Sequence, residues 1–478
     1  MKINEKIKSD DFITLDYNKI RDEVKGNITI YKKPSFFKNR YIKLATVCIV
    51  VLLLSITGII IISNSTSSSN KYLQVSAAEQ IDGNDYYSLK RTEGYEIFKQ
   101  KLEKFSSRVS DAVYKKFNKE ENYVISPLSI YMALAMSVES TDELTRAEIL
   151  DALGMTYEEV STYTKVLYYE CNGEVSVENV LGQEKVMYRQ ILKNSIWVDN
   201  NIKLNEAGLN KLSQNYNCSS YSAPFKNSNR KANKAISDYV KENTKGLIDQ
   251  DFNLDEETLF TLINTYYLKD TWRSYGDELL FTNEKYMFND IVETYLLSGR
   301  YLLGKPNESE KFTNFYTQTS RGIKVEFIIP KDGYTINDIY NYEALEEVNT
   351  KGYIVRDDKK MEEYNTRCFF PEFEAEFNED ISNVFKDDFN INEFFTFNSN
   401  FSPLTNEEVK CGGIIHSTKL TVDKIGIEGA AVTVLPGAGA PGPGEYTQIY
   451  IDYIVKKNFI LIISKDNVDL FSGVVYNI

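Results

Sequence analysis

The chain has 478 residues, of which 42% are hydrophobic and 13% aromatic, enough apolar material for one large domain or two smaller ones. Its formal net charge of −14 is uneven, since residues 1–43 carry 11 Lys or Arg and 6 Asp or Glu, a net +5, which leaves −19 for the rest. An acidic body lacks the basic surface that nucleic-acid binding requires, so we expect no nucleic-acid partner.

A run of 20 uncharged and mostly apolar residues, Leu44 to Ser63, is long enough to cross a bilayer as a helix. Basic residues are concentrated just before this run, and the first basic residue after it is Lys71, so the positive-inside rule places the N-terminus in the cytoplasm. A cleaved signal peptide is the alternative, with Ser76-Ala77-Ala78 as a weak cleavage site, but its apolar region would be too long. The sequence therefore predicts a cytoplasmic segment at 1–42 and a transmembrane signal anchor at 43–63, with the remainder outside the plasma membrane.

Residues 64–94 open with Ser, Thr and Asn and are predicted to be a flexible linker. Beyond this segment, apolar side chains recur at three- and four-residue steps over Phe98–Phe117, which indicates an amphipathic helix. Ser126 and Pro127 mark the start of a second helix, because Ser can cap the helix and Pro suits its first turn.

Two further helices are predicted from their end signals. Thr145 and Glu148 match a capping box, and Gly154 would end that short helix. Ala232–Lys245 has a helical pattern that stops at Gly246. We expect these helices to pack together.

Four segments have the pattern of β-strands. Phe260–Trp272 is a nearly continuous apolar run, typical of a strand buried on both faces. Asn194–Val198 and Lys324–Pro330 are shorter, and Cys368–Phe377 alternates apolar with acidic residues as a half-exposed strand does. Helices followed by mixed strands and helices predict an α+β domain built on sheets.

His416 is the only histidine, and therefore the only possible histidine base for a Ser or Cys nucleophile. No GxSxG motif is present, and neither Asp nor Glu stands near His416 in the sequence. A lone histidine among apolar neighbours is typical of a satisfied core residue. We therefore expect no enzymatic activity.

The cysteines also argue against a metal site or a cofactor. None of the five shows CxxC spacing, and one histidine cannot complete a zinc ligand set. Cys48 lies in the apolar run, and the other four, predicted to be mostly reduced thiols, could pair in three ways. These four are Cys171, Cys218, Cys368 and Cys411.

A long segment of unusual composition lies between two strand-like runs, Ile414–Val422 and Ile449–Ile463. It begins with small residues around Gly426 and continues through the Pro, Gly and Ala residues of Pro436–Gly444. Its prolines donate no backbone hydrogen bond, so it is predicted to be an exposed loop. A loop of this length inside a compact domain is usually functional or disordered.

The sequence of this region resembles the hinge, reactive-centre loop and C-terminal strands of the serpins. It reads IIHSTKLTVDKIGIEGAAVTV, followed by NFILIISKDNVDLFSGVV. ISPLSIYMALAMS and TRAEILDALG are similar to the second and third serpin helices, and ANKAISDYVKENTK to the helix across the main sheet. The apolar strand ending in Trp272 is similar to a central strand of that sheet. The resemblance runs from about Tyr95 to Ile478, so 95–478 is predicted to be a serpin domain. It implies a large central mixed β-sheet, further sheets, surrounding helices and an exposed reactive-centre loop.

The resemblance implies a suicide-substrate mechanism of protease inhibition. A protease cleaves the loop and forms an acyl-enzyme, and the loop then inserts into the central sheet before the acyl-enzyme is hydrolysed. Insertion requires small side chains at the loop hinge. The implied hinge consists of Gly426, Ile427, Glu428, Gly429, Ala430, Ala431, Val432 and Thr433.

About fourteen residues beyond Gly426, the family's usual spacing for an inserting loop, the cleaved bond falls near Ala440-Pro441. Proline after the cleaved bond makes a poor substrate for most serine proteases, so a bond among Gly437–Ala440 or beyond Gly442 remains open. The target would be a serine or cysteine protease, and small residues suit an elastase-like enzyme with a shallow primary pocket.

The resemblance also assigns a sheet-opening cluster of Ser126, Asn264 and His416, a polar group beneath the opening region of the sheet, with Trp272 covering the point where the loop enters. We expect a monomeric, membrane-tethered extracellular serpin of bacterial origin. Ile427 replaces a small residue, and Pro436 lies where the loop would become a central strand. These two departures favour the alternative, a non-inhibitory surface binding or structural protein whose loop is only a substrate.

Overall fold

The computed structural model describes residues 73–77, 83–172, 175–180, 183–254, 259–273, 278–299, 302–429 and 446–478. The predicted cytoplasmic segment and signal anchor lie outside these ranges. Within them, no helix is long and apolar enough to cross a membrane. The described residues belong to one compact unit, Asn70–Ile478.

The α-helices of the described part of the chain are numbered here in chain order. They are α1 Gly83–Leu89, α2 Glu93–Phe117, α3 Pro127–Ser140, α4 Glu143–Leu153, α5 Tyr157–Glu170, α6 Glu206–Tyr216, α7 Phe225–Asn243, α8 Ile336–Ile339, α9 Tyr342–Lys351 and α10 Ser382–Asp388. A short 3-10 helix covers Glu393–Phe395.

The strands are numbered in the same way. They are β1 Leu73–Ser76, β2 Tyr123–Ile125, β3 Val175–Val180, β4 Gln183–Asp199, β5 Cys218–Ala223, β6 Phe260–Thr271, β7 Tyr286–Phe288, β8 Val292–Thr294, β9 Leu297–Ser298, β10 Leu302–Leu303, β11 Lys305–Pro306, β12 Phe312–Gln318, β13 Lys324–Pro330, β14 Tyr353–Ile354, β15 Arg356–Asp357, β16 Glu362–Phe370, β17 Phe373–Asp380, β18 Ile415–Val422, β19 Gly426–Gly429, β20 Thr447–Ile454, β21 Phe459–Lys465 and β22 Val468–Val475.

The largest sheet has eight strands in the order β1-β5-β4-β6-β19-β18-β17, with β3 paired to β4. It is mixed, since β4 and β5 run parallel and the other pairs are antiparallel. A second sheet is β12-β13-β21-β22-β2, and a third is built around β16, with β20 parallel to it. The predicted α+β class with a large central mixed sheet is confirmed.

The core lies between the central sheet and the second sheet. Helix α3 is apolar on nearly every face, and it contacts β6 on one side and β22 on the other. Helix α7 covers the opposite face of the central sheet, where it packs on β4, β5 and β6. This helix across the sheet is the arrangement that the resemblance implied.

Local signals predicted some helix ends correctly and others wrongly, since α7 begins at Phe225 and not at Ala232. Ser126 caps α3 by accepting a hydrogen bond from the Ser129 N–H at 3.2 Å, and Gly154 ends α4 with φ of +65°. The capping box at Thr145 is wrong, because Asp142 caps α4 three residues earlier. Thr145 is instead buried, and its hydroxyl accepts from the Asn400 N–H at 2.9 Å, a contact between distant parts of the chain.

Two predicted segments differ in the structure. Cys368–Phe377 is not one strand, because β16 ends at Phe370 and β17 begins at Phe373 in a different sheet. Pro371 lies between them and has no N–H to continue a ladder. Within the predicted linker 64–94, Leu73–Ser76 pairs with β5 and forms one edge of the central sheet, and Gly83–Leu89 is helical. The domain boundary at residue 95 stays a prediction.

The four described cysteines, Cys171, Cys218, Cys368 and Cys411, are buried free thiols. Burial raises the pKa of Cys171, Cys368 and Cys411 to about 12, and it also raises the pKa of Cys218. Thiolate, the reactive form, is therefore scarce at neutral pH.

We predict that a thiol reagent such as Ellman's reagent leaves all four thiols of residues 71–478 unmodified in the folded protein at pH 8. Four thiols should react once the fragment is unfolded in guanidinium chloride, because burial and not oxidation protects them. Fewer than four reactive thiols after unfolding would reveal a disulfide and contradict the prediction.

Candidate functional site

The central sheet contains an incomplete strand position between β6 and β18. Gly426–Gly429 of β19 pairs antiparallel with Thr271–Leu268 of β6, and its middle residues pair antiparallel with the end of β18. Beyond Gly429, the edge of β6 at 260–267 and the edge of β18 at 415–420 have no partner strand between them in the described part of the chain. We call these two facing edges the strand gap.

A cavity of about 50 Å³ lies in the strand gap. It is lined by residues 261–266 of β6 and 415–418 of β18, by Ser129 of α3, and on the other face by Val240 of α7 with the segment that follows α7. Sites for drug-sized ligands have volumes of about 300–1,000 Å³. The cavity is therefore a packing gap between two strands and is too small for such a ligand.

His416 and Ser126 meet beneath the strand gap, and their role in opening the sheet stays a prediction. The Ser126 backbone N–H donates to His416 Nε2 at 3.0 Å. Burial lowers the pKa of His416 to about 3, so the imidazole is neutral at physiological pH and its Nε2 is free to accept. The contact links the start of α3 to β18.

Asn264 lines the same cavity from the β6 side. Its Nδ2 donates to Asn194 Oδ1 of β4 at 2.7 Å, and Asn194 in turn donates to the Tyr216 carbonyl at 2.6 Å. Asn264 Oδ1 is buried with no hydrogen-bond partner among the described residues. Sequence reasoning missed Asn194, because only strand pairing places it opposite Asn264.

Trp272 lies at the other end of β6, eight residues or about 26 Å along the strand from Asn264. Its indole Nε1 donates to the Asp423 carbonyl at 2.5 Å, and its backbone N–H donates to the Ile425 carbonyl at 3.0 Å. The structure therefore separates Trp272 from the polar cluster and places it against the turn that leads into the hinge.

The described hinge residues show why Gly occupies position 426 and how a large residue fits at position 427. A Cβ on Gly426 would lie 2.0 Å from the Asp270 carbonyl oxygen, so only Gly fits this close approach. Ile427 is 1% exposed and packs in the core, whereas Glu428 points to the outer face. The large residue at 427 is thus accommodated by burial and does not obstruct the pairing of β19.

The remaining predicted site residues lie outside the described residues. These are Ala430, Ala431, Val432 and Thr433 of the hinge, and Ala440 and Pro441 of the predicted cleaved bond. Their roles stay predictions.

The family pattern described as Serpin (serine protease inhibitor) matches residues 100–478. The chain belongs to the serpin family. Rat alpha-1-antiproteinase is 23% identical over 348 residues, covering 70% of this chain and 80% of that protein. Human corticosteroid-binding globulin is 23% identical over 319 residues, covering 66% of this chain and 75% of that protein.

A solved structure supports the serpin fold independently. The thermophilic serpin tengpin in its native state matches with a TM-score of 0.63 and 19% identity, covering 85% of this chain and all of that chain. At this identity the likeness concerns the fold alone. The predicted serpin fold is confirmed.

We predict that His416 makes this serpin less stable in mild acid. Its pKa is about 3 when folded, against about 6.5 in an unfolded chain, so between these values the unfolded state binds the extra proton and stability falls as pH decreases. From pH 7 to pH 5 this contribution is about 2 kcal/mol.

The measurement compares unfolding free energies of residues 71–478 and its His416→Gln variant at both pH values. Gln can still accept from the Ser126 N–H but does not titrate, so the variant should lose less stability between pH 7 and pH 5. Equal losses in the two proteins would show that His416 does not contribute to the acid dependence.

Proposed function

We propose that this serpin inhibits proteases by inserting its cleaved reactive-centre loop into the strand gap. One observation carries the proposal. Gly426–Gly429 already lies between β6 and β18, antiparallel to both, at one end of the strand gap. A cleaved loop can extend this short strand without changing the register of either neighbour.

Continuing the register of β19 would place Thr433 directly opposite Asn264 of β6 and His416 of β18. Residues directly opposite each other share one face of a sheet, so the Thr433 side chain would enter the cavity between them. Its hydroxyl could donate to Asn264 Oδ1, the buried acceptor that lacks a partner. Insertion would thus fill a cavity and satisfy a polar atom in one step.

The same register addresses the objection raised by Pro436. The Trp272 N–H donates to the Ile425 carbonyl, so the backbone groups of odd-numbered loop residues face β6. The Asp423 N–H donates to the Gly426 carbonyl, so the backbone groups of even-numbered loop residues face β18. Continued in this way, Pro436 would face Gly413, beyond the first residue of β18. Its missing N–H would therefore remove no bond to either strand.

We further propose that the inhibitor is held outside the plasma membrane by the predicted signal anchor 43–63, which contains the apolar run. The charge asymmetry around that run and its length support the orientation. A tethered inhibitor would act on proteases close to the surface that carries it. The target is a serine or cysteine protease, and the cleaved bond lies near Ala440-Pro441.

A second candidate function is a non-inhibitory binding or structural role. The relatives include corticosteroid-binding globulin, a family member named for binding a steroid. In this case the loop would be cleaved as a substrate and would not trap the protease.

The deciding experiment incubates residues 71–478 with a panel of serine and cysteine proteases and separates the products on denaturing gels. Inhibition predicts a complex that survives denaturation, with the cleaved bond located by mass spectrometry. It also predicts that the cleaved serpin melts at a markedly higher temperature, because the inserted loop adds a central strand. Cleavage with no complex and an unchanged melting curve would favour the binding protein.

We predict that Thr433→Arg converts the inhibitor into a substrate, because a charged side chain cannot enter the cavity between Asn264 and His416 without a large desolvation cost. Thr433→Ser, the matched control, keeps the hydroxyl and should retain most of the trapping. The ratio of covalent complex to cleaved serpin on the gel measures the change. Complex formation by Thr433→Arg at the wild-type level would contradict the proposed register.

A further inference from the structure

We propose that Glu428 is a positioning residue that holds the hinge partly inserted in the intact protein. This inference deepens the proposed function, since it concerns the same loop. It is carried by the contacts of Glu428 with two residues of β6, Tyr267 and Lys269.

The Glu428 carboxylate is held by both of its oxygens. The Tyr267 hydroxyl donates to Oε1 at 2.6 Å, and the Lys269 ammonium donates to Oε2 at 3.1 Å. Tyr267 is buried, and burial raises its pKa, so its hydroxyl stays a donor. Lys269 lies directly opposite Glu428 in the ladder, and Tyr267 lies on the diagonal.

Strand β19 is short and needs such support. Four residues give few ladder hydrogen bonds, and the glycines at both of its ends lose more conformational entropy on ordering than other residues do. Two side chains hold it, Ile427 on the inner face through burial and Glu428 on the outer face through hydrogen bonds. Without Glu428, the outer face of β19 would have no described polar contact to β6.

A partly inserted hinge would speed loop insertion relative to hydrolysis of the acyl-enzyme, and so favour formation of the covalent complex. After cleavage, insertion must finish before water releases the protease from the acyl-enzyme. Starting a new strand is the step with the highest free-energy cost, because residues lose conformational entropy before the stabilising ladder hydrogen bonds have formed. With Gly426–Gly429 already in place, insertion proceeds by adding residues to an existing strand.

The chain offers a matched control on the same face of the same sheet. Glu376 of β17 lies directly opposite Lys419 of β18 and forms an exposed ion pair with it at 3.7 Å. Glu376→Ala therefore removes a cross-strand Glu–Lys pair from the central sheet without touching the hinge. Any effect specific to Glu428→Ala then belongs to the hinge.

The first test needs no protease. Hydrogen exchange of the peptide covering Gly426–Gly429 is measured in residues 71–478, in Glu428→Ala and in Glu376→Ala. We expect Glu428→Ala to lose hinge protection by roughly tenfold or more, because it removes the charge-assisted hydrogen bond from Tyr267 together with the partly exposed ion pair to Lys269, with no change in the control. Wild-type protection in Glu428→Ala would overturn the proposal.

The second test measures how many serpin molecules are consumed per trapped protease molecule, using a protease that forms the covalent complex. We expect this stoichiometry to rise roughly threefold or more in Glu428→Ala, since a tenfold loss of hinge order slows insertion relative to hydrolysis. Exchanging the pair, Glu428→Lys with Lys269→Glu, should recover part of the loss. An unchanged stoichiometry in Glu428→Ala would overturn the role in trapping.

The two tests separate this inference from the function on which it rests. If wild-type protein forms no covalent complex with any protease, the proposed inhibition fails. Hydrogen exchange would still decide whether Glu428 holds the hinge in the sheet.

Discussion

The architecture depends on one missing strand. The facing edges of β6 and β18 carry backbone groups that no described strand joins, although Gly426–Gly429 fills the same position at one end. Unpaired strand edges favour the addition of another strand, because each new ladder bond satisfies groups that are otherwise left to water or unmade. The cavity in the gap has the same origin.

The elements around the gap cover both of its faces. Helix α3 lies beneath it and contributes the Ser126 N–H, which is bonded to His416 of β18. Helix α7 and the segment after it cover the opposite face. At that face, the Gln250 side chain donates to Ser417 Oγ at 2.5 Å, which ties the segment after α7 to β18 across the gap. A strand inserting between β6 and β18 would have to break these contacts or pass beneath them. The contacts therefore stabilise the present arrangement of the sheet and oppose insertion.

The resemblance, and not a local pattern, named the residues of the site. The structure brings Ser126 and His416 into contact and places Trp272 beside the hinge turn, and the role of these residues in opening the sheet stays a prediction. Two residues that argued against insertion in the sequence, Ile427 and Pro436, no longer do so. Ile427 is buried in the core, and continuing the observed register would place Pro436 beyond the end of β18. Both conclusions depend on the strand register, which the composition of the loop does not reveal.

The amino-acid sequence by itself determined the family, the α+β class, the cap at Ser126 and the place of the loop between two strands. These features follow from short-range periodicity and from motifs of a few consecutive residues. Tertiary structure alone decided which residues face each other. Glu428 meets Tyr267 from a position 161 residues away. Asp142 caps α4, and the hydroxyl of the buried Thr145 instead accepts from the N–H of the distant Asn400. A shift of one residue in the register of β19 would turn Glu428 to the other face of the sheet, away from Tyr267, and the packing of the core selects one register.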